Sequence, residues 1–315
     1  MDILFLLISN LIPLYILIGL GWISGRYMDV NLHSMAIIAI NILAPVVVFG
    51  AVAQLEFEST YLLLPLIMAG ISTFMAITNY SLASFIFKDD TANLVGLGCT
   101  TGNTGYFGLP IVLLFTGPEG AGIYLLANMG SEFVANTLGY YLGAKSGRSM
   151  GDALKVMLKL PATYAMILGI LWNLYGTDLP DVFISYWERF TGAWVIIGMM
   201  LIGVALGKLN LTCLKPMLQI WFAASRFLLW PAVMIGLIFL DRHVLKLFDG
   251  QIHTLFLIFG TVPLQGNLAA FAAKLGLRPT EAAFAVLVTT FLSLLIMPLA
   301  FLLLDAPFNG GIPTP

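Results

Sequence analysis

The sequence predicts an all-α integral membrane protein with ten transmembrane helices, arranged as two five-helix repeats of opposite orientation. Three observations carry this expectation. The composition is 60% hydrophobic and only 10% charged, with a mean hydropathy of +0.97, whereas a soluble domain carries about 25% charge. The apolar runs divide into ten stretches of about 20 residues, the length that crosses a bilayer. Two of them, the fourth and the ninth, are interrupted near their middles by turn-forming residues.

In chain order the spans fall at 3–23, 32–53, 61–87, 92–116 and 120–143, then at 161–177, 183–207, 215–240, 251–274 and 280–304. Residues 1–144 thus form a first repeat, 145–160 a polar connection, and 161–315 a second repeat. The start, Met1-Asp2-Ile3, lacks the positive charge of a cleavable signal, so the first run reads as a retained helix. Lys and Arg accumulate in cytoplasmic loops. Ten of the fourteen fall in the odd-numbered loops, among them Lys88, Lys145, Arg148, Lys215 and Arg278. The even-numbered loops hold Arg189, Arg242 and Lys246, so both termini are expected outside the cytoplasm. Five helices per half is an odd number, so related halves must be inverted with respect to each other.

The fourth span contains Gly102-Asn103-Thr104-Gly105-Tyr106-Phe107-Gly108-Leu109-Pro110, which is written like a turn. The ninth contains Thr261-Val262-Pro263-Leu264-Gln265-Gly266-Asn267. Non-helical backbone at membrane depth survives only where protein or a water-filled cavity satisfies it. Each half-helix end leaves backbone groups free, N-termini offering partial positive charge and C-termini offering carbonyls. Asn103, Thr104, Gln265 and Asn267 add polar side chains at that centre, Gly105 and Gly266 add accessible backbone, and Gly102 and Pro263 mark the breaks. Small residues at one such position equally suit close helix packing. Paired interruptions in both halves favour a solute site, because the transporter arrangement requires the pairing and packing does not.

Glu132 in the fifth span and Arg226 in the eighth are ionisable residues deep within apolar segments. Arg226 lies 11 residues past Lys215, or about 16 Å along a helix. A charge at that depth costs at least about 2.5 kcal/mol and calls for a partner. Two readings stand side by side. The pair serves proton or cation coupling or substrate attraction, with Asn136 on the same helical face as Glu132, or it is a fixed ion pair between helices. Asn41, ahead of Pro45, is a secondary candidate; Asn79 and Asn128 more often join helices than bind ligands. The histidines His33, His243 and His253 fall near span ends and read as interfacial, and Trp187 and Trp194 read as an aromatic belt. Cys99 and Cys213 form neither a disulfide framework nor a metal motif, and no cofactor is expected. The net charge of −2 provides no basic footprint for nucleic acid, and GxSxG, HExxH and phosphate-loop motifs do not occur, so an enzyme is not expected.

Ile12-Pro13-Leu14-Tyr15, the Asn41 to Pro45 segment, the Asn103 to Pro110 motif and Pro263-Leu264-Gln265-Gly266 together resemble the auxin efflux carrier family. That family comprises plant auxin carriers and bacterial malate or malonate permeases. The resemblance implies a fold related to the bile acid symporters and sodium/proton antiporters, with helices 4 and 9 crossing at their breaks. It also implies a scaffold and homodimerisation domain of helices 1, 2, 6 and 7, and a mobile transport domain of helices 3–5 and 8–10. Gly102 stands where plant members have a proline, and the third span lacks their acidic residue, leaving Glu132 as the candidate for that role. The short connection at 145–160 is that of a bacterial-type member of the inner membrane.

The expectation is therefore a secondary transporter of a small organic anion, working by elevator-type alternating access with H+ or Na+ as a possible coupling ion. A sodium- or proton-coupled inorganic ion antiporter is the alternative, and a membrane sensor that binds without transporting is the alternative of another class.

Overall fold

The computed structural model describes residues 3–144, 160–176, 178–208 and 215–303, and every regular element among them is helical. The connection at 145–159, with Lys145, Arg148, Lys155 and Lys159, lies outside the described residues, as does Cys213. The helices are α1 (Ile3–Tyr27), α2 (Leu32–Ala53), α3 (Ser59–Ile86), α4 (Thr91–Gly98), α5 (104–116) and α6 (118–143). After the connection come α7 (Pro161–Leu174), α8 (Asp181–Gly207), α9 (Pro216–Leu245), α10 (Gly250–Thr261), α11 (Leu268–Leu275) and α12 (Pro279–Leu303). Among the described residues, six helical stretches are long and apolar enough to cross a membrane, and parts of α1 and α7 form shorter apolar helices.

Local sequence sets several of the bends. Gly117 at φ +65°, ψ −165° separates α5 from α6, and Pro118 beyond it bars its predecessor from the helical region. Pro45, Pro110 and Pro231 each follow a wide π turn, at Ala39–Leu43, Thr104–Gly108 and Ser225–Leu229. The proline ring clashes with the carbonyl four residues back and donates no bond to it. In each case that carbonyl lies within the π turn, which is where the ladder widens.

Two packing groups result. In one, α1 runs along α8 and α2 along α7. Close approach of α1 and α8 depends on small residues on both sides: a Cβ on Gly25 would lie 2.8 Å from the Val204 Cα, and one on Gly207 would lie 2.7 Å from the Arg26 nitrogen. In the other group α3 packs on α6, α9 on α10, and α12 on both α9 and α11. Ser72 on α3 donates to Ser131 on α6 at 3.0 Å.

The loops before α4, α9 and α12 converge in an ionic cluster. Asp89 meets Lys215 at 2.6 Å and Arg278 at 2.9 Å, and Arg278 also reaches Asp90 at 2.9 Å and Glu281 at 3.4 Å. The bonds from Lys215 and Thr91, with Arg278 beside them, hold the Asp89 carboxyl well below the ordinary carboxylate range. All three loops belong to the Lys- and Arg-rich set.

Candidate functional site at the crossing of two broken helices

The interruptions at 99–103 and 262–267 meet each other inside the protein. Pro263 pushes Val262 into extended backbone (φ −64°, ψ 150°), which ends α10. Asn103, at φ −78° and ψ 65°, begins α5, and its Oδ1 accepts from the Tyr106 N–H at 3.2 Å, an N-cap bond. Between these ends Gly102 and Leu264 form a single antiparallel bridge, and the Asn103 N–H donates to the Pro263 carbonyl at 2.7 Å. Leu264 is held in turn by its N–H on Thr289 Oγ1 at 3.2 Å. A Cβ on Gly102 would lie 2.6 Å from both Arg226 Nη2 and Val262 Cγ2, so only glycine allows this approach.

The C-terminal carbonyls at the crossing are capped from other elements. Gln265 Nε2 donates to Leu97 O at 3.1 Å, and Trp230 Nε1 donates to Cys99 O at 3.1 Å. Arg226 donates from Nε to Val262 O and from Nη2 to Phe259 O, and its guanidinium lies 4.6 Å from the Trp230 ring centre. Arg226 is 1% exposed. Its Nη1 has no hydrogen-bond partner, and no carboxylate lies within 4.0 Å of it among the described residues. The expected partnership with Glu132 is therefore not formed. Arg226 satisfies the negative end of α10 instead, which a forked guanidinium does by reaching two carbonyls at once.

Beside the crossing lies a cavity of about 250 Å³. Its polar wall brings together Asn103, Thr104, Gln265 and Asn267 from the breaks, and Asn128, Glu132 and Asn136 from α6. Gly102, Gly105 and Gly266 contribute backbone to it, Thr163 and Trp194 line the side formed by α7 and α8, and Ile40, Ala44 and Val48 of α2 form the apolar floor. Asn103 and Thr104 are 3% and 2% exposed. Three of the cavity's buried polar atoms have no hydrogen-bond partner among the described residues: Asn103 Nδ2, Trp194 Nε1 and Asn128 Oδ1. Only Oδ1 of Asn103 can accept from Tyr106, so its other amide atom is necessarily a donor. Asn136 Nδ2 donates to Glu132 Oε2 at 3.2 Å and to the Glu132 carbonyl at 2.9 Å.

Several expectations need revising against this geometry. Arg226 does not line the cavity but stands behind Gly102. Gln265 lines the cavity, yet its amide nitrogen is committed to Leu97. Asn41 is exposed and turned away, since the π turn of α2 presents Ile40 and Ala44 instead. Trp187 and Trp194 are not a belt: both are buried, Trp187 donating to Val47 O at 2.9 Å and Trp194 packing on Tyr106 with ring centres 5.3 Å apart. His253 is not interfacial but is 5% exposed, with Nε2 2.8 Å from Asp241 Oδ2. Trp194 and Thr163 are cavity residues that pattern reading missed, and Asn128 lines the cavity although it read as a helix-joining amide; for Trp194 a signal existed. Its position midway along the 183–207 span was the signal, because belt residues occupy span ends.

Residues 148–301 match the family described as membrane transport protein. A stretch of 152 residues is 31% identical to an uncharacterized transporter of Methanocaldococcus jannaschii, covering 46% of this chain and 49% of that protein. The chain thus spans about half the length of the curated relative it matches. Residues 148–301, which include the second of the two crossing breaks, are thus similar to the membrane transport protein family, in line with the resemblance of the motifs to the auxin efflux carriers.

Proposed function

We propose that this protein is a secondary transporter that moves a small organic anion, a carboxylate such as malate, malonate or an auxin-like acid, across the cytoplasmic membrane. The observation that carries the reading is the polarity of the cavity at the crossing. Its C-terminal carbonyls are capped by Gln265, Trp230 and Arg226, while two buried donors, Asn103 Nδ2 and Trp194 Nε1, against one acceptor, Asn128 Oδ1, remain without partners among the described residues. The first turn of α5 adds free N–H groups and the positive end of a helix dipole. A volume of about 250 Å³ falls below the 300–1,000 Å³ typical of drug-sized ligands, which suits a small solute.

Paired breaks touching at Gly102 and Leu264 support an arrangement of two inverted five-helix repeats. The division into an α1, α2, α7, α8 group and a second group holding both breaks supports an elevator mechanism, in which the second group slides against the first. On that reading the first group also carries a homodimer contact, which light scattering of the detergent-solubilised protein would test. Both termini then face away from the cytoplasm, as cysteine labelling near each end would report.

Glu132 on the cavity wall favours one competing reading, an inorganic cation antiporter. A thermal-shift screen of small carboxylates with and without sodium separates the two, because a ligand of the native state stabilises it. The carboxylate reading expects stabilisation by at least one acid, followed by its accumulation in proteoliposomes. Binding without accumulation would point to a sensor, and a complete lack of stabilisation by any carboxylate would refute the proposal.

A further inference from the structure

Among the described residues, Glu132 is the one carboxylate lining the cavity, and no cationic side chain lines it. The charged or titratable groups on the elements around it are engaged elsewhere. Arg226 of α9 is bonded to the Phe259 and Val262 carbonyls, and Lys274 of α11 lies 5.7 Å from the Tyr140 ring of α6. His253 of α10 is held by Asp241. Tyr106 of α5 lines the cavity and packs on Trp194, Tyr124 of α6 stacks on Phe259, and Tyr80 of α3 packs by Gly96. α2 contributes only Ile40, Ala44 and Val48 to the wall, and α8 only Trp194.

A solute carboxylate in this space therefore meets a second carboxylate with no counter-cation on the wall among the described residues. Like charges sharing a site disfavour joint ionisation, and one of them takes up a proton. A site built of several carboxylates or imidazoles is not formed at this acid among the described residues. Asn136 Nδ2 occupies Glu132 Oε2 as a donor, and no group of three His, Cys, Asp or Glu that could hold a metal occurs among the described residues. A hard cation would instead draw on carbonyl, amide and hydroxyl oxygens, and the sodium arm of the test separates it from a proton.

We propose that Glu132 is a proton-binding site whose occupancy is required for the anion to bind, so that each solute carboxylate crosses the membrane together with one proton. The proton comes from bulk water and sits on a Glu132 carboxyl oxygen. The site then holds only the negative charge of the solute itself, facing the Asn103 and Trp194 donors. On the far side Glu132 releases the proton when the anion leaves. This inference rests on the carboxylate reading above and deepens it.

The test is binding of a panel of lactate, malate, malonate and indole-3-acetate to the purified full chain between pH 5.5 and 8, with and without sodium, for wild type, Glu132→Gln and Glu132→Asp. Uptake into proteoliposomes carrying an internal pH dye follows for acids that bind. Linkage of one proton to one anion raises the wild-type Kd about tenfold per pH unit once the empty site is ionised. Glu132→Asp keeps that slope. Glu132→Gln, which holds a permanently neutral amide, removes it, and solute entry no longer acidifies the lumen. A carboxylate bound by wild type with no pH dependence, a slope retained in Glu132→Gln, or a requirement for sodium in place of protons would overturn the inference while leaving the carboxylate reading intact. An absence of binding by every acid at every pH would overturn both.

Discussion

Asn103 does two separable things, and two substitutions separate them. Its Oδ1 caps α5 through the Tyr106 N–H at 3.2 Å, and its Nδ2 faces the cavity without a partner. Asn103→Ala removes both. The lost cap costs about 1 kcal/mol, a fall in Tm of about 2 °C for a chain of this size. The lost donor removes a hydrogen bond to a charged acceptor, about 1.5–3 kcal/mol, or about 10- to 150-fold in Kd. Asn103→Asp keeps an oxygen for the cap and places negative charge at a helix N-terminus, so Tm stays at or above that of wild type. The same change replaces the cavity donor with an anion, and carboxylate binding is lost. Thermal unfolding and isothermal titration of both variants read the two effects independently. If both variants bound the carboxylate as wild type does, Asn103 would be a structural cap only and the donor-lined site would be refuted.

Three further expectations follow from the packing and the ionic cluster. Arg226→Met leaves the Phe259 and Val262 carbonyls buried without donors, at about 1–3 kcal/mol each; Arg226→Lys restores a charge but not the fork, so thermal unfolding should rank wild type above lysine and lysine above methionine. Gly207→Val drives a side chain into the α1 backbone near the Arg26 nitrogen, costing about 1–3 kcal/mol as overpacking, and an unchanged Tm would show that the helices are not in close contact. Asp89 has its carboxyl pKa lowered from 3.8 in the folded protein, so the stability it contributes is fully present above that value and is lost as the pH falls below it. An Asp89→Asn variant should therefore differ from wild type at pH 7 and converge with it in acid, and the difference, under about 1 kcal/mol for a pair this exposed, should shrink at high salt.

The helices of this protein were legible because lipid-length apolar runs and their polar punctuation are local properties of the chain. Gly117-Pro118 and the Pro263 break are read directly from steric rules that need no tertiary context. The same holds for the two motifs that interrupt the fourth and ninth spans. Most of the proposed wall residues, Asn103, Thr104, Glu132, Asn136 and Asn267, could be named for the same reason: polar groups at membrane depth are conspicuous in an apolar sequence.

Which of those polar groups face one another was not legible. Arg226 and Glu132 looked like mutual partners because each is a rare deep charge, yet partnership depends on distance across the fold, and Arg226 met the open carbonyls of α10 first. Asn41 was lost from the site because a π turn shifts the phase of every side chain around it, a shift that no fixed helical period anticipates. Trp194 entered the site because α8 crosses beside the break and brings its ring against Tyr106. Sequence alone determined the class of protein, the positions of its helices and both interruptions, since these follow from hydrophobicity and backbone sterics along the chain. Only the tertiary structure decided that the interruptions touch at Gly102 and Leu264, that their carbonyls are capped, and that the remaining donors share one cavity with Glu132, because hydrogen-bond satisfaction is settled between segments far apart in the chain.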